Sequence, residues 1–269
     1  MATVKIRSAN AASSSTLAPD LPRLSILKDG TSYSISVVRS ENLSCDAKDV
    51  IYTLFNSNMS HLQQTSSFPY TEQSKREELF DVDARYILLL SSQGPDQDPK
   101  KVDKLDPVDN LKTTTDTNTN IKAKGKGKGK GKGKETINEI DFSPKDLLGF
   151  CGFRFDTEET LTTRDAEVAY CYEVQLAPSS RGQGLGKILL NTLEDIGTKR
   201  ELDKVMLTCL KNNQSALSFY TKQGYTPDEI DPTRMAEEED WTDDEDEDGN
   251  EEDEDTRDYV ILSKSLKST

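Results

Sequence analysis

RGQGLGKILL, residues 181–190, sets an arginine, three alternating glycines and a lysine directly ahead of an apolar run. Glycines spaced in this way let the backbone approach a ligand closely, and the start of a helix behind them presents N–H donors and a positive dipole end to a phosphate. Two common phosphate loops do not fit. A P-loop needs four residues between its last two glycines and Ser or Thr after the lysine. Here three residues separate Gly182 from Gly186, and Ile188 follows Lys187. A dinucleotide fingerprint needs a third glycine that GQGLG does not supply at the required place.

The chain on either side of this loop alternates between strand and helix patterns. YSISVV (33–38), RYILLL (85–90), KVMLTCL (204–210) and RDYVILSKSL (257–266) read as strands, and LLGFCGFRF with YCYEVQL reads as a hairpin. Val50, Ile51, Leu54 and Phe55 have helical spacing, with Asp46 or Asp49 near the helix start. EQSKREELFDV reads as a second, charged helix. Beyond the glycines, Leu185, Leu189 and Ile196 share one helical face, and NQSALSFYTKQGY forms a short helix ending at Gly224. This order predicts an α/β fold with the phosphate loop at a strand-to-helix crossing.

Composition limits what the site contains. Only 33% of the 269 residues are apolar, so part of the length lies outside any core. The net charge of −15 is concentrated: residues 237–255 hold fifteen carboxylates and no base, and residues 122–134 hold seven lysines and no acid. We expect disordered insertions at 91–145 and 235–256 and a flexible lead-in at 1–20, with the remainder a single domain. Four separated cysteines without a CxxC pair suit a reduced, intracellular protein. No signal-peptide core or membrane-length apolar run is expected, nor a membrane partner. With His61 the one histidine, a multi-histidine metal site is excluded. Chemistry is left to carboxylates, tyrosines, backbone groups and water.

Arg181, Gly184 and Gly186 match the pattern R/Q-x-x-G-x-G/A. Downstream, Asn213, Ala216, Phe219-Tyr220 and Gly224-Tyr225 match N-x-x-A-x-x-φ-Y-x-x-x-G-φ. The pair resembles the two acetyl-CoA signatures of the GCN5-related acetyltransferases (GNAT). YCYEVQL, GLGKILL, KVMLT, the stretch NMSHLQQTSSFPYTEQSKREEL, RFD and DYVILS resemble, more narrowly, the histone-specific N-terminal acetyltransferases of type D. The resemblance implies a GNAT fold: a central mixed, twisted β-sheet flanked by helices. It also implies acetyl-CoA as acetyl donor, no metal, and the serine-first N-terminal tails of histones 4 and 2A as partners.

The same resemblance implies roles position by position. Gln175, Leu176 and Ala177 would bond the pantetheine arm. Arg181, Gln183, Gly184, Leu185, Gly186, Lys187 and Ile188 would hold the pyrophosphate, and Thr208 and Asn213 would also reach the cofactor. Asp156, Tyr170, Tyr172 and Tyr259 would meet the substrate. Gln63 and Phe68 stand where the family has a tyrosine and a tryptophan; Phe68 still offers an apolar wall, and Tyr70 is a candidate aromatic substitute for the family's tyrosine at Gln63. Glu173 is the candidate general base, with Tyr172 beside it, and Tyr220 the candidate proton donor to the leaving thiolate. Strict alternation places Tyr170 and Tyr172 opposite Glu173; a β-bulge, which the superfamily has in this strand, would bring them together. A backbone N–H such as that of Val174 would serve the developing oxyanion.

Each role has a plainer counterpart: Glu173 as a salt-bridged strand residue, Tyr220 as a packing aromatic, Asp156 as a turn residue. The acidic run either attracts a cationic tail or only aids solubility. The Lys/Gly run either touches nucleic acid weakly and non-specifically or is an idle linker. A monomer found in nucleus and cytoplasm is expected. The alternatives are a lysine ε-amine acetyltransferase on the same fold and an acidic histone-binding scaffold with an inactive domain.

Overall fold

The computed structural model describes residues 2–22, 24–27, 29–64, 66, 69–92, 139–234 and 257–267. In chain order the elements are α1 (Val4–Ala11), α2 (Ser14–Leu17), β1 (Ser25–Ile26), β2 (Ser32–Arg39), α3 (Cys45–Gln63), α4 (Glu72–Leu79), β3 (Arg85–Ser91), β4 (Leu147–Glu158), β5 (Ala166–Leu176), α5 (Leu185–Lys199), β6 (Lys204–Leu210), α6 (Gln214–Lys222), β7 (Thr226–Pro227) and β8 (Tyr259–Ser265). The strands form one mixed sheet in the order β1-β2-β3-β4-β5-β6-β8-β7. Every neighbouring pair is antiparallel except β5–β6, which the α5 crossover makes parallel.

Both faces of the sheet are covered, and alternation along β3 shows how. Ile87 and Leu89 point to the side of α1, α2 and α5. Tyr86 and Leu88 point to Ala47, Ile51 and Phe55 of α3 and to Leu79 of α4. The helices start at polar caps: Ser44 Oγ accepts from Ala47 N at 2.9 Å, and Thr71 forms a reciprocal capping box with Ser74.

The expected lead-in is instead part of the core. Ile6, Ala9 and Leu17 are buried against the sheet. Arg85 Nη2 donates to the carbonyls of Ala9 (3.2 Å) and Asn10 (2.7 Å), satisfying acceptors at the end of α1. A small, Ser/Ala-rich composition concealed Ile6 and Ala9 at helical spacing in α1 and Leu17 at the end of α2. The first insertion is also narrower than expected. Ser91 ends β3, its N–H donating to Asp146 O at 2.7 Å; Ile140 bridges to Leu43, and Phe142 is buried on the α3 side. The rest of that insertion, 93–138, and the acidic run at 235–256 lie outside the described residues.

Candidate functional site

β5 and β6 pair only from Val168↔Lys204 to Cys171↔Leu207, although the strands continue to Leu176 and Leu210. Beyond Cys171 they splay, which opens one edge of β5. Ala177 N–H is spent on Leu148 C=O at 2.9 Å. Antiparallel alternation then turns the main-chain groups of Gln175 toward β4 as well, and those of Val174 and Leu176 toward the splay. Of the three residues expected along a pantetheine arm, Leu176 alone therefore offers its backbone there, and Val174 joins it. The Gln175 side chain is spent on Asn58 and Glu173 rather than on the arm.

The glycine loop closes this cleft from below. Gly182 and Gly184 have φ of +74° and +86°, and open space surrounds both, so the backbone conformation is what requires glycine. Gly184 caps α5 without a side-chain acceptor, leaving the N–H groups of Leu185, Gly186 and Lys187 with no intrahelical partner. Ile188 N–H is already bonded to Gly184 O at 3.2 Å, and the Leu185 side chain is buried in the core. Gly186 is glycine for another reason: a Cβ there would lie 3.1 Å from Phe219 Cζ on α6. Gln183 Nε2 donates to Ser179 O at 3.2 Å. Uncapped donors behind two left-handed glycines, beside a splayed strand edge, fit a diphosphate joined to an extended arm.

Asn213 caps α6, its Oδ1 accepting from Ala216 N at 3.3 Å, so its side chain has a structural duty besides any ligand contact. Thr208, expected with the cofactor residues, has its Oγ1 2.6 Å from the hydroxyl of Tyr170, which is expected to meet the substrate.

The other wall is built by a β-bulge. Gly152 pairs with Glu173 but Phe153 pairs with Cys171, so Tyr172 has no partner on β4. The extra residue puts Tyr170, Tyr172, Glu173 and Gln175 on the α3/α4 face. The Tyr170 and Tyr172 ring centroids are 4.9 Å apart, and the Arg154 guanidinium lies 4.7 Å over Tyr172 while donating to Glu78 O of α4. Burial raises both phenols, Tyr170 to about 12, and keeps them protonated at neutral pH. Asp156 is exposed and bonds Thr157 N; the Glu158 carboxyl is pushed up by burial and then by Asp156.

Glu173 is buried. Lys75 Nζ is 2.9 Å from Oε1, and Gln175 Nε2 donates to Oε2 at 2.8 Å. Lys75 also bonds Glu78 at 2.8 Å and sits 4.8 Å over the Phe55 ring; burial opposes its charge, but Glu173 and Glu78 outweigh burial and raise its ammonium. Tyr220 is buried on the α5/α6 side, 5.9 Å from Tyr225 by ring centroid. Burial raises its phenol, which thus holds the proton a donor needs.

Gln63 lies in the last turn of α3, with Oε1 buried and without a hydrogen-bond partner. The Tyr70 ring lies tilted against Phe55, 5.4 Å between centroids, and its hydroxyl is likewise unpartnered. Tyr259 opens β8 opposite Leu210. Phe68 lies outside the described residues. Asn58, Lys75, Arg154 and Glu158 are site residues that the sequence motifs did not single out. Lys75 had a readable signal, since it stands four residues before the buried Leu79 on the inner face of α4. Among the described residues no cluster suits a metal ion, and no helix is long and apolar enough to cross a membrane.

Several solved structures are similar to this one. A PaiA N-acetyltransferase from Thermoplasma acidophilum in complex with coenzyme A shares 14% identity, covering 86% of this chain and 99% of that one, with a TM-score of 0.41. A NatC complex bound to Gag peptide and CoA shares 13% identity over 87% and 99% of the chains, TM-score 0.44. Tetrahymena GCN5 shares 10% over 87% and 96%, TM-score 0.43. In sequence, residues 133–225 match the acetyltransferase (GNAT) family. The matched residues contain the splayed strands and the glycine-capped helix, so this part of the chain is similar to the GNAT acetyltransferases, a class that takes its acetyl group from acetyl-CoA.

Proposed function

We propose that the chain acetylates the N-terminal α-amine of a protein whose first residues are small and then basic, the serine-first tails of histones 4 and 2A, in the nucleus and cytoplasm. The observation that carries this reading is the bulge at Tyr172. It sets two tyrosines in ring contact and Glu173 on one face at the splay of β5, within electrostatic reach of Asp156 and Glu158. Aromatic walls exclude water around a small first residue, and the carboxylates suit the cationic residues behind it.

Bound acetyl-CoA supplies an activated acetyl thioester. The residues that would hold it are Val174 and Leu176 at the strand edge and the N–H groups of Leu185, Gly186 and Lys187, with Arg181 beside them. An α-amine, with a pKa near 8, must shed one proton before it attacks, far less demanding than a lysine amine near 10.4. Glu173 receives that proton directly or through water. Each of its oxygens accepts one bond, from Lys75 or Gln175, and retains a further acceptor site. Tyr220, protonated, donates on the thiolate side.

The test uses acetyl-CoA and two histone 4 tail peptides, one with a free N-terminus and one already N-acetylated, with mass spectrometry locating the new group. Modification of the free peptide alone, at its α-amine, is expected. Equal modification of both, on lysine, would assign the chain to ε-amine chemistry. No transfer, together with acetyl-CoA binding, would point to another acceptor. No acetyl-CoA binding would point to a histone-binding scaffold.

A further inference from the structure

A continuous line of side-chain hydrogen bonds joins the glycine loop to Glu173. Arg181 Nη2 donates to Asn58 Oδ1 at 2.5 Å, Asn58 Nδ2 to Gln175 Oε1 at 2.9 Å, and Gln175 Nε2 to Glu173 Oε2 at 2.8 Å. Lys75 closes the line on Oε1 at 2.9 Å. One end is exposed in the loop; Gln175, Glu173 and Lys75 are 5%, 8% and 8% exposed.

The chemistry of the ends fixes the direction of the whole line. A guanidinium only donates, so the Asn58 oxygen must face Arg181 and its amide NH2 must face Gln175. A carboxylate only accepts, so Gln175 must turn its NH2 to Glu173 and its oxygen to Asn58. Flipping Gln175 breaks two bonds at once, and flipping Asn58 breaks three. Asn58 further anchors α3 to the strand edge, its Nδ2 lying 3.1 Å from Leu176 O.

We propose that Asn58 and Gln175 are positioning residues that couple the cofactor loop to Glu173, so that the state of Arg181 sets the orientation of the carboxylate and, through it, of Lys75. This rests on the reading of Glu173 as the proton acceptor. A phosphate that draws on Arg181 changes the first bond of a directional line whose members polarise one another.

The test follows the Lys75 ammonium by 15N NMR while CoA is added to the full chain. In the parent protein, CoA saturation is expected to shift the Lys75 Nζ resonance. In Asn58→Ala and in Gln175→Leu the shift is expected to fall by more than about half, although CoA still binds. An undiminished shift in both variants, or no shift in the parent at CoA saturation, overturns the proposal. A kinetic arm separates it from the reading beneath it. Gln175→Leu is expected to lower kcat for the free-N-terminus peptide about tenfold, but less than about twofold in a Glu173→Gln background, because it acts through Glu173. Equal losses in both backgrounds overturn the coupling and leave Glu173 in place. A Glu173→Gln enzyme with unchanged kcat removes Glu173 as acceptor, and the proposal with it.

Discussion

Lys75 Nζ stands 2.9 Å from Glu173 Oε1, and the two side chains are 10% and 9% exposed. A helix cation thus neutralises a carboxylate buried at the splay. Removing a single member of such a pair strands the other charge in a poorly solvated place. Lys75→Met is expected to destabilise the fold by about 3 kcal/mol, and Lys75→Met combined with Glu173→Gln by clearly less. Urea midpoints of the parent, both single variants and the double variant measure this.

Gly149 lies on β4 across from Leu176, and a Cβ there would come 2.7 Å from the Gln175 carbonyl oxygen and closer still to the Leu176 side chain. Backbone cannot yield as a side-chain tip does. Gly149→Ala is expected to cost about 1–3 kcal/mol and, by moving the strand edge, to raise KM for acetyl-CoA about tenfold. Gly182→Ala meets open space, so strain at its positive φ alone applies, about 1–2 kcal/mol. Thermal unfolding with initial-rate kinetics tells the two apart.

Asp156 and Glu158 are close enough to Tyr172 for their charges to help raise its phenol, after burial. Asp156→Asn with Glu158→Gln is expected to raise KM for a basic peptide about fivefold with kcat nearly unchanged. The effect should shrink at 1 M salt, where exposed charges are screened. Kinetics at two ionic strengths check it.

Ile6 is 1% exposed and Val4 is 73% exposed, two residues apart on the same helix. Ile6→Ala is expected to cost about 2–4 kcal/mol and Val4→Ala within about 0.5. Equal, small effects would return the first twenty residues to a mobile lead-in.

Asp203 links three elements. Burial alone would raise its carboxyl, but Lys267, the Glu167 N–H and Arg164 outweigh burial and hold it at about 2. A folded pKa below the unfolded value near 3.9 stabilises the fold above pH 4, and that contribution is lost as pH falls toward 2. Asp203→Asn is expected to lower stability at pH 7 and to flatten its decline between about pH 4 and 2, as followed by urea midpoints across that range.

The sequence alone determined six of the sheet's strands and its crossing helix. Alternating runs such as YCYEVQL, the apolar face Leu185-Leu189-Ile196 and the glycines ahead of it are local patterns, and local backbone geometry reads them directly. Composition misled where burial is sparse: Ile6, Ala9 and Leu17 are few among Ser and Ala, yet they suffice to dock two short helices.

Only the tertiary structure decided which groups meet. The bulge that turns Tyr172 and Glu173 to one face is a register shift between β4 and β5, and nothing in either strand by itself marks the unpaired residue. Asn58, Lys75 and Gln175 are separated along the chain and converge on Glu173 only when α3 and α4 pack on the sheet. Periodicity reports which face of an element is buried. Which polar group stands opposite is fixed by packing between elements, where the desolvation of Glu173 requires the Lys75 charge beside it.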